Sequence, residues 1–171
     1  MLLYHVSDQA GIEVFEPRIP PTSSPANPGA VVWAVDEAHL VNYLVPRDCP
    51  RVTFHATSAT TQEDRRRFLG DGLSRHVVAI EAGWLQRCVD AALWLYELPP
   101  FSFLCADGTA GYYVSSKAVV PTSATRDENP LQSLVDFGAE LRVMPRLGSL
   151  AAQVARSSLA FSCIRMRNAA T

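Results

Sequence analysis

The sequence contains almost no lysine and has no excess of positive charge. Among its 171 residues, 15 are Lys or Arg and 17 are Asp or Glu, and Lys117 is the single lysine. General nucleic-acid binding needs a positive surface that neutralises several phosphates, so the formal net charge of -2 argues against this function. The predominance of arginine has two interpretations, high-GC coding bias and a demand for guanidinium chemistry, and the first is favoured.

Cysteine pairs and long apolar runs are also missing. Cys49, Cys88, Cys105 and Cys163 are widely spaced without a CxxC motif, which argues against structural zinc and predicts reduced, structural thiols. No apolar run approaches the roughly 20 residues that a membrane-spanning helix needs. The first eight residues predict a strand rather than a signal peptide. We therefore expect a cytoplasmic protein without membrane contact.

Common catalytic motifs are absent as well. The sequence has no HExxH, GxSxG, GxxxxGK[ST] or GxGxxG pattern, which excludes the usual signatures of zinc proteases, serine hydrolases, P-loop proteins and dinucleotide folds. No metal is expected. A chain of this length buries about 70% of its surface on folding, which is enough for a core without disulfides. Residues 1–171 are therefore predicted to form a single globular domain.

What the sequence does contain is an alternation of short strand-like and short helical patterns. The predicted strands are residues 2–7, 12–15, 30–35, 51–57, 76–81, 93–98, 101–105, 112–115 and 140–144. The predicted helices are residues 36–44, 61–69, 84–89, 130–137 and 150–157, and the predicted loops include 17–29 and 122–129. These patterns predict an α+β fold, a curved and mainly antiparallel sheet in two portions with surrounding short helices.

Polar side chains in the first strand form the first candidate site. Alternation along a strand places His5 and Ser7 on one face, opposite Tyr4 and Val6. His5 has two interpretations of equal weight. It is either a hydrogen-bonded structural histidine or a group that binds a polar ligand with one ring nitrogen while a neighbour fixes the other.

The predicted helix after the third strand and the loop that follows it form the second candidate site. Asp36 is its predicted N-cap, and His39 and Tyr43 share a helix face at positions i and i+4. Tyr43 either stacks on a flat ligand ring or packs in the core. Arg47 and Arg51 flank a proline-stiffened loop and suit phosphate or carboxylate binding, although Arg47 also suits a structural pair with Asp48.

Other residues are weaker candidates. Glu81, Glu97 and Glu140 lie at or near strand ends, where charged side chains are usually solvated. His55 and His76 lie in predicted strands with apolar neighbours and are interpreted as structural. Tyr112 and Tyr113 are expected to project from opposite faces of a strand, so that one of them could line a pocket.

Several of these segments together resemble an uncharacterised bacterial family of unknown function, over nearly the whole chain. The segments that carry the resemblance are 3–7, 12–18, 32–34 with Tyr43, 46–51, 111–115 and 164–168. The chain also has a more distant similarity to the ADP-ribosyltransferase fold, which places a Tyr-His pair on the first strand and an aromatic residue on a later strand-helix unit around NAD.

The second resemblance implies roles for individual residues. His5 would hold the ribose of NAD, and Tyr43 would stack on nicotinamide. The residues themselves add Ser7, on the same strand face as His5, and Arg47 or Arg51, whose guanidinium groups would bind the phosphates. Ala110, Gly111 and Tyr112 occupy the neighbourhood where the fold usually presents a catalytic Glu. The expectation is therefore an ADP-ribosyltransferase-like domain that binds NAD or another nucleotide, with unknown catalytic residues. The alternative is a non-catalytic binding or interaction module, and a hydrolase that uses His5 with a carboxylate is the least supported.

Overall fold

The structure, a computed structural model, describes residues 1–19, 29–70, 74 and 76–170. The chain divides into two compact units, Met1–Tyr43 with Ala92–Asp127 and Leu44–Ala91 with Glu128–Thr171. Each unit contains one sheet, so the predicted α+β class with a sheet in two portions is confirmed. The single domain over residues 1–171 stays a prediction. Within the described residues, no helix has the length and apolar character needed to cross a membrane.

Ten strands and several short helices make up the described part of the chain. The strands are β1 (Leu3–Ser7), β2 (Val32–Asp36), β3 (Arg51–His55), β4 (His76–Glu81), β5 (Leu93–Leu98), β6 (Leu104–Asp107), β7 (Tyr112–Ser115), β8 (Ser123–Asp127), β9 (Ala139–Met144) and β10 (Ala160–Ile164). The α-helices are α1 (Gln62–Asp64), which continues as a π-helical segment at Arg65–Leu69, α2 (Leu85–Val89), α3 (Pro130–Asp136) and α4 (Gly148–Val154). Short 3-10 helices cover Glu37–Tyr43, Ala82–Trp84, Pro100–Ser102 and Met166–Asn168.

The first unit contains a six-stranded sheet in the order β6-β7-β2-β1-β5-β8, and every neighbouring pair is antiparallel. One face of this sheet carries a buried apolar core. Those of its members that lie in strands occupy alternate positions, which places them on the same face. The core comprises Leu3, Phe15, Val32, Ala34, Tyr96, Leu98, Phe103 and Val119.

The second unit contains a four-stranded sheet in the order β10-β3-β4-β9. Its β4–β9 pair is parallel, and the other pairs are antiparallel. The core of this unit is packed against α4 and the segment after α1. It comprises Val52, Phe54, Phe68, Leu69, Val77, Ala79, Leu147, Leu150, Val154 and Leu159.

Two predictions about strands are wrong, and a third is shifted, because the predicted strand 101–105 begins in the 3-10 helix Pro100–Ser102 and overlaps β6 only at its end. Residues 12–15 do not form a strand, because only Phe15 pairs there, in an isolated bridge with Val119. Residues 123–127, predicted as a loop, form β8, which pairs with β5 at the edge of the first sheet. The sequence of β8 is polar because four of its five residues are exposed, so no apolar alternation marks it. Most of the predicted loop 17–29 lies outside the described residues.

Candidate functional site

The two faces of the first sheet are defined by the register of β1, β2 and β7. Tyr4 pairs with Val35, and Val35 pairs with Tyr112, so these three side chains share one face. His5 pairs with Tyr96 on β5 and therefore projects from the other face, the one that carries the core. The candidate residues predicted on β1 and on the helix that ends at Tyr43 therefore lie on different faces of the sheet. His5 and Ser7 are on the core face, and Tyr43 contacts Tyr112 on the opposite face.

His5 lies where β1 and β2 separate. The described β1–β2 ladder consists of Leu3↔Asp36 and Tyr4↔Val35, and His5 is the next residue along β1. Its Nδ1 lies 2.9 Å from the backbone carbonyl oxygen of Trp33. A carbonyl only accepts, so Nδ1 carries the hydrogen and donates it. The His5 ring also packs against Phe15, with centroids 4.7 Å apart.

Ser7 shares the core face with His5, as alternation predicts. Its side chain is buried, and its hydroxyl accepts a hydrogen bond from the Gln9 amide at 3.0 Å. This contact closes the turn after β1. A direct contact of Ser7 with a ligand stays a prediction.

Three half-buried aromatic side chains cluster on the opposite face of the sheet, and we call them the aromatic platform: Trp33, Tyr43 and Tyr112. Trp33 and Tyr112 meet edge to face, with centroids 5.8 Å apart and an interplanar angle of 85°. Tyr43 and Tyr112 have centroids 6.4 Å apart at 63°. Three rings in this arrangement combine an apolar surface with polar edges, which suits a flat heteroaromatic ligand.

The two tyrosines of the aromatic platform are joined through their hydroxyl groups. Tyr43 donates to the Tyr112 oxygen at 2.7 Å. Among the described residues, no hydrogen bond uses the Tyr112 hydroxyl hydrogen, so this group can donate to an incoming carbonyl. The predicted split of Tyr112 and Tyr113 across the sheet is confirmed, because Tyr113 packs against the core on the other face.

Asp36 and His39 form a pair at the start of the 3-10 helix that ends with Tyr43. The Asp36 carboxylate accepts from the His39 amide at 3.0 Å, which confirms the predicted N-cap. The same oxygen accepts from His39 Nδ1 at 2.7 Å. Sequence reasoning placed both residues but missed their pairing, for which the D-x-x-H spacing at a helix start was an available signal.

Gly111 allows this pair to pack against the β6–β7 hairpin. The backbone φ of Gly111 is +67°, and a Cβ at this position would overlap the His39 ring and lie 2.8 Å from Asp36 Oδ1. The Asp36 amide also donates to the Gly111 carbonyl at 3.0 Å. A glycine is therefore required beside the Asp36–His39 pair on both steric and conformational grounds.

Two other tyrosines in this unit have raised pKa values. Burial raises the pKa of Tyr113, and Cys105 and Asp36 add to the effect. Burial also raises the pKa of Tyr4, and the nearby Glu37 and Glu97 carboxylates contribute. Both phenols are therefore neutral at physiological pH.

Arg47 and Arg51 belong to the second unit. Arg51 is 2% exposed, and its guanidinium donates to the carbonyls of Cys49 at 2.9 Å and Arg47 at 3.4 Å. Asp48, expected as a partner of Arg47, lies 3.9 Å from Arg165 Nε instead. Arg51 thus holds the 46–50 loop, while Arg47 is exposed. Their role in binding phosphate stays a prediction.

Two of the weaker carboxylate candidates, Glu81 and Glu140, are engaged in structural contacts of the second unit. Glu81 is 4% exposed, and its two oxygens accept from the amides of Leu147 at 3.1 Å and Ala170 at 2.9 Å. Glu140 forms an ion pair with Arg142 at 2.9 Å. Both acids have structural partners in the folded chain.

Comparisons with known proteins give a family but no activity. Residues 4–169 match the model of a family described as a family of unknown function (DUF6886). No curated protein and no solved structure matches the chain.

Proposed function

Because the chain belongs to this family of unknown function, which brings no activity with it, we propose a function from the geometry of the first unit. The proposal is that the aromatic platform binds the flat ring of a small nucleotide-like ligand, with NAD as the first ligand to test. The observation that carries it is the hydroxyl-paired Tyr43 and Tyr112 beside Trp33.

The chemistry of the aromatic platform supports a heteroaromatic ligand that carries a carbonyl group. Stacking of a nucleobase on an aromatic side chain contributes about 1–3 kcal/mol, and the half-buried rings offer partly exposed apolar surface for it. The Tyr112 hydroxyl hydrogen can donate to an amide oxygen such as that of nicotinamide. The sequence resemblance to the ADP-ribosyltransferase fold, in which Tyr43 would stack on nicotinamide, supports the same ligand.

The proposal is limited to binding. Transfer of ADP-ribose needs a carboxylate that stabilises the positive charge developing on the ribose. Strand β7 has the sequence Tyr112, Tyr113, Val114 and Ser115, and therefore carries no carboxylate. The carboxylate of Asp36, at the end of β2, already accepts a hydrogen bond from the His39 ring. The proposed function is therefore nucleotide binding without catalysis, which draws on both functions expected from the sequence.

His5 supports this site through the backbone. Its hydrogen bond to the Trp33 carbonyl fixes the strand segment that carries the Trp33 ring, although the His5 side chain projects from the opposite face. We therefore expect His5→Ala to weaken binding less than Tyr43→Ala does. An equal or larger loss for His5→Ala would instead favour direct contact of His5 with the ligand.

Calorimetric titration with NAD, nicotinamide mononucleotide and ADP-ribose tests the proposal. We expect NAD and the mononucleotide to bind, Tyr43→Ala to abolish binding, and Tyr112→Phe to lower affinity about fivefold to tenfold, since one hydrogen bond is worth about 1 kcal/mol. Tyr113→Phe is the matched control, a neighbouring tyrosine on the other face, and should leave affinity unchanged. No binding of any of the three at millimolar concentration would refute the proposal.

A further inference from the structure

A buried pair of cysteines lies in the second unit, independent of the proposed ligand site. Cys49 in the loop before β3 and Cys88 in α2 are 0% and 1% exposed. Their sulfur atoms are 3.9 Å apart, within hydrogen-bond range. The other two cysteines, Cys105 and Cys163, are exposed. The spacing of 39 residues in sequence gave no sign of this contact.

From this contact we infer that Cys49 and Cys88 are a redox-active dithiol that closes to a disulfide when the protein meets a peroxide. A disulfide bond is about 2.05 Å long, so two sulfurs that are 3.9 Å apart must approach by about 2 Å, a distance that side-chain rotation can cover. Hydrogen peroxide is the expected oxidant because it is close to water in size and is therefore less hindered at a buried sulfur than a bulky disulfide is.

The electrostatic surroundings favour Cys88 as the attacking sulfur. The hydrogen bond between the two thiols lowers the pKa of Cys88, burial opposes this shift, and the Arg51 guanidinium adds to it. The same hydrogen bond and burial raise the pKa of Cys49, which therefore keeps its proton longer. A thiolate is the nucleophilic form of cysteine, so the asymmetry assigns the first step to Cys88.

The proposed reaction has two balanced steps. The Cys88 thiolate attacks one oxygen of hydrogen peroxide, the O–O bond breaks, and Cys88 sulfenic acid forms while the released hydroxide takes up a proton to become water. The Cys49 sulfur then attacks the Cys88 sulfur, the S–O bond breaks, and the proton of the Cys49 thiol leaves with the hydroxyl group as a second water. Both sulfurs are oxidised, and the peroxide is reduced to two water molecules.

Closure of this bond would tie the 46–50 loop to α2. The loop is already held by Arg51, which donates to the Cys49 carbonyl at 2.9 Å. The disulfide would enclose β3, α1 and β4 in one covalent loop. Such a cross-link restricts the unfolded chain, so oxidation should raise the melting temperature of the protein.

Peptide mass spectrometry after treatment with hydrogen peroxide tests the inference. The protein used is the full chain with Cys105→Ser and Cys163→Ser, in which only the buried pair remains and the exposed thiols cannot cross-link. We expect a mass loss of two hydrogen atoms, a cross-linked peptide containing Cys49 and Cys88, and reversal by dithiothreitol. Cys88→Ser in the same background should show no mass loss, and Cys49→Ser should add one oxygen, as a sulfenic acid without a partner.

Two results would overturn the inference. One is an intact protein with both thiols still reduced at peroxide concentrations that oxidise Cys105 and Cys163 in the unmodified chain. The other is stepwise addition of oxygen to Cys88 without a cross-link while Cys49 is present. Circular dichroism before and after oxidation establishes that the background variant is folded, so a missing cross-link cannot be attributed to unfolding.

Discussion

At the scale of single residues, Gly111 is a position that tolerates no side chain. Its backbone is left-handed, and a Cβ would overlap His39 and approach Asp36. We expect Gly111→Ala to lower the free energy of unfolding by about 3 kcal/mol, which combines backbone strain of about 1–2 kcal/mol with displacement of the Asp36–His39 pair. Urea unfolding measures this change.

Gly11→Ala is the matched control for this prediction. Gly11 lies in the same unit with nearly the same φ, +68°, and has open space around its Cβ position. Gly11→Ala should lower the free energy of unfolding by only about 1–2 kcal/mol, the cost of the backbone strain alone. An equal decrease in the free energy of unfolding for the two variants would mean that the clash with His39 and Asp36 contributes nothing to the effect of Gly111→Ala.

Asp64 makes the stability of the second unit depend on pH. Its carboxylate accepts from both the hydroxyl and the amide of Ser158 at 2.7 Å, and these bonds lower its pKa below the ordinary value of 3.8. A depressed carboxylate pKa contributes stability above the unfolded value and loses it as pH falls through the folded value. We therefore expect unfolding to become easier below about pH 4, to a smaller extent in Asp64→Asn.

Urea midpoints at several pH values between neutrality and acid test this expectation. Glu63→Gln is the control, because Glu63 is exposed and lies next to Asp64 in α1. Parallel acid profiles for the unmodified chain and Asp64→Asn would contradict the assigned role of Asp64.

At the scale of elements, Glu81 links the end of β4 to two distant segments. Its buried carboxylate accepts the amides of Leu147, which precedes α4, and of Ala170 near the end of the chain. A glutamine offers one acceptor and places its NH2 group against the second amide. We expect Glu81→Gln to destabilise the protein by about 1.5–3 kcal/mol, the range for hydrogen bonds to charged groups.

Glu140→Gln is the comparison for Glu81 because it removes a carboxylate that is partly exposed. The Glu140 side chain is 38% exposed in its ion pair with Arg142, and such pairs contribute about 0–1 kcal/mol. Denaturant unfolding of both variants gives the two values. A loss for Glu81→Gln no larger than that for Glu140→Gln would show that the buried carboxylate does not hold these segments.

Local signals explain which elements were predictable. The apolar strands β1, β4 and β5 have ends within one residue of those predicted. In the turn before β7, Asp107 accepts the amides of Thr109 and Ala110. β8 escaped prediction because its pairing with β5 depends on backbone bonds rather than on an apolar pattern. The predicted helix after Asp36 is a 3-10 helix, although its N-cap was correct.

At the scale of the whole molecule, long-range pairing of strands decides which residues meet in the candidate site. Alternation correctly placed His5 with Ser7 and separated Tyr112 from Tyr113. The sequence could not show that β1, β2 and β7 are adjacent, and this adjacency sets Tyr43 and Tyr112 on the face opposite His5. The Cys49–Cys88 contact is likewise a product of tertiary packing.

The proposed ligand site lies on one face of the sheet in the first unit. The family description names no activity, so the aromatic platform is the feature that makes the proposal testable. Its three residues come from β2, the 3-10 helix and β7, all within the first unit. A measurement that reports from Trp33 itself therefore tests both the existence and the location of the site.

That measurement is the fluorescence of Trp33 in a chain carrying Trp84→Phe and Trp94→Phe, titrated with nicotinamide mononucleotide. We expect saturable quenching with a midpoint equal to the calorimetric dissociation constant, and a midpoint about fivefold to tenfold higher when Tyr112→Phe is added. Heat of binding without any change in Trp33 fluorescence would contradict the account by placing the ligand elsewhere.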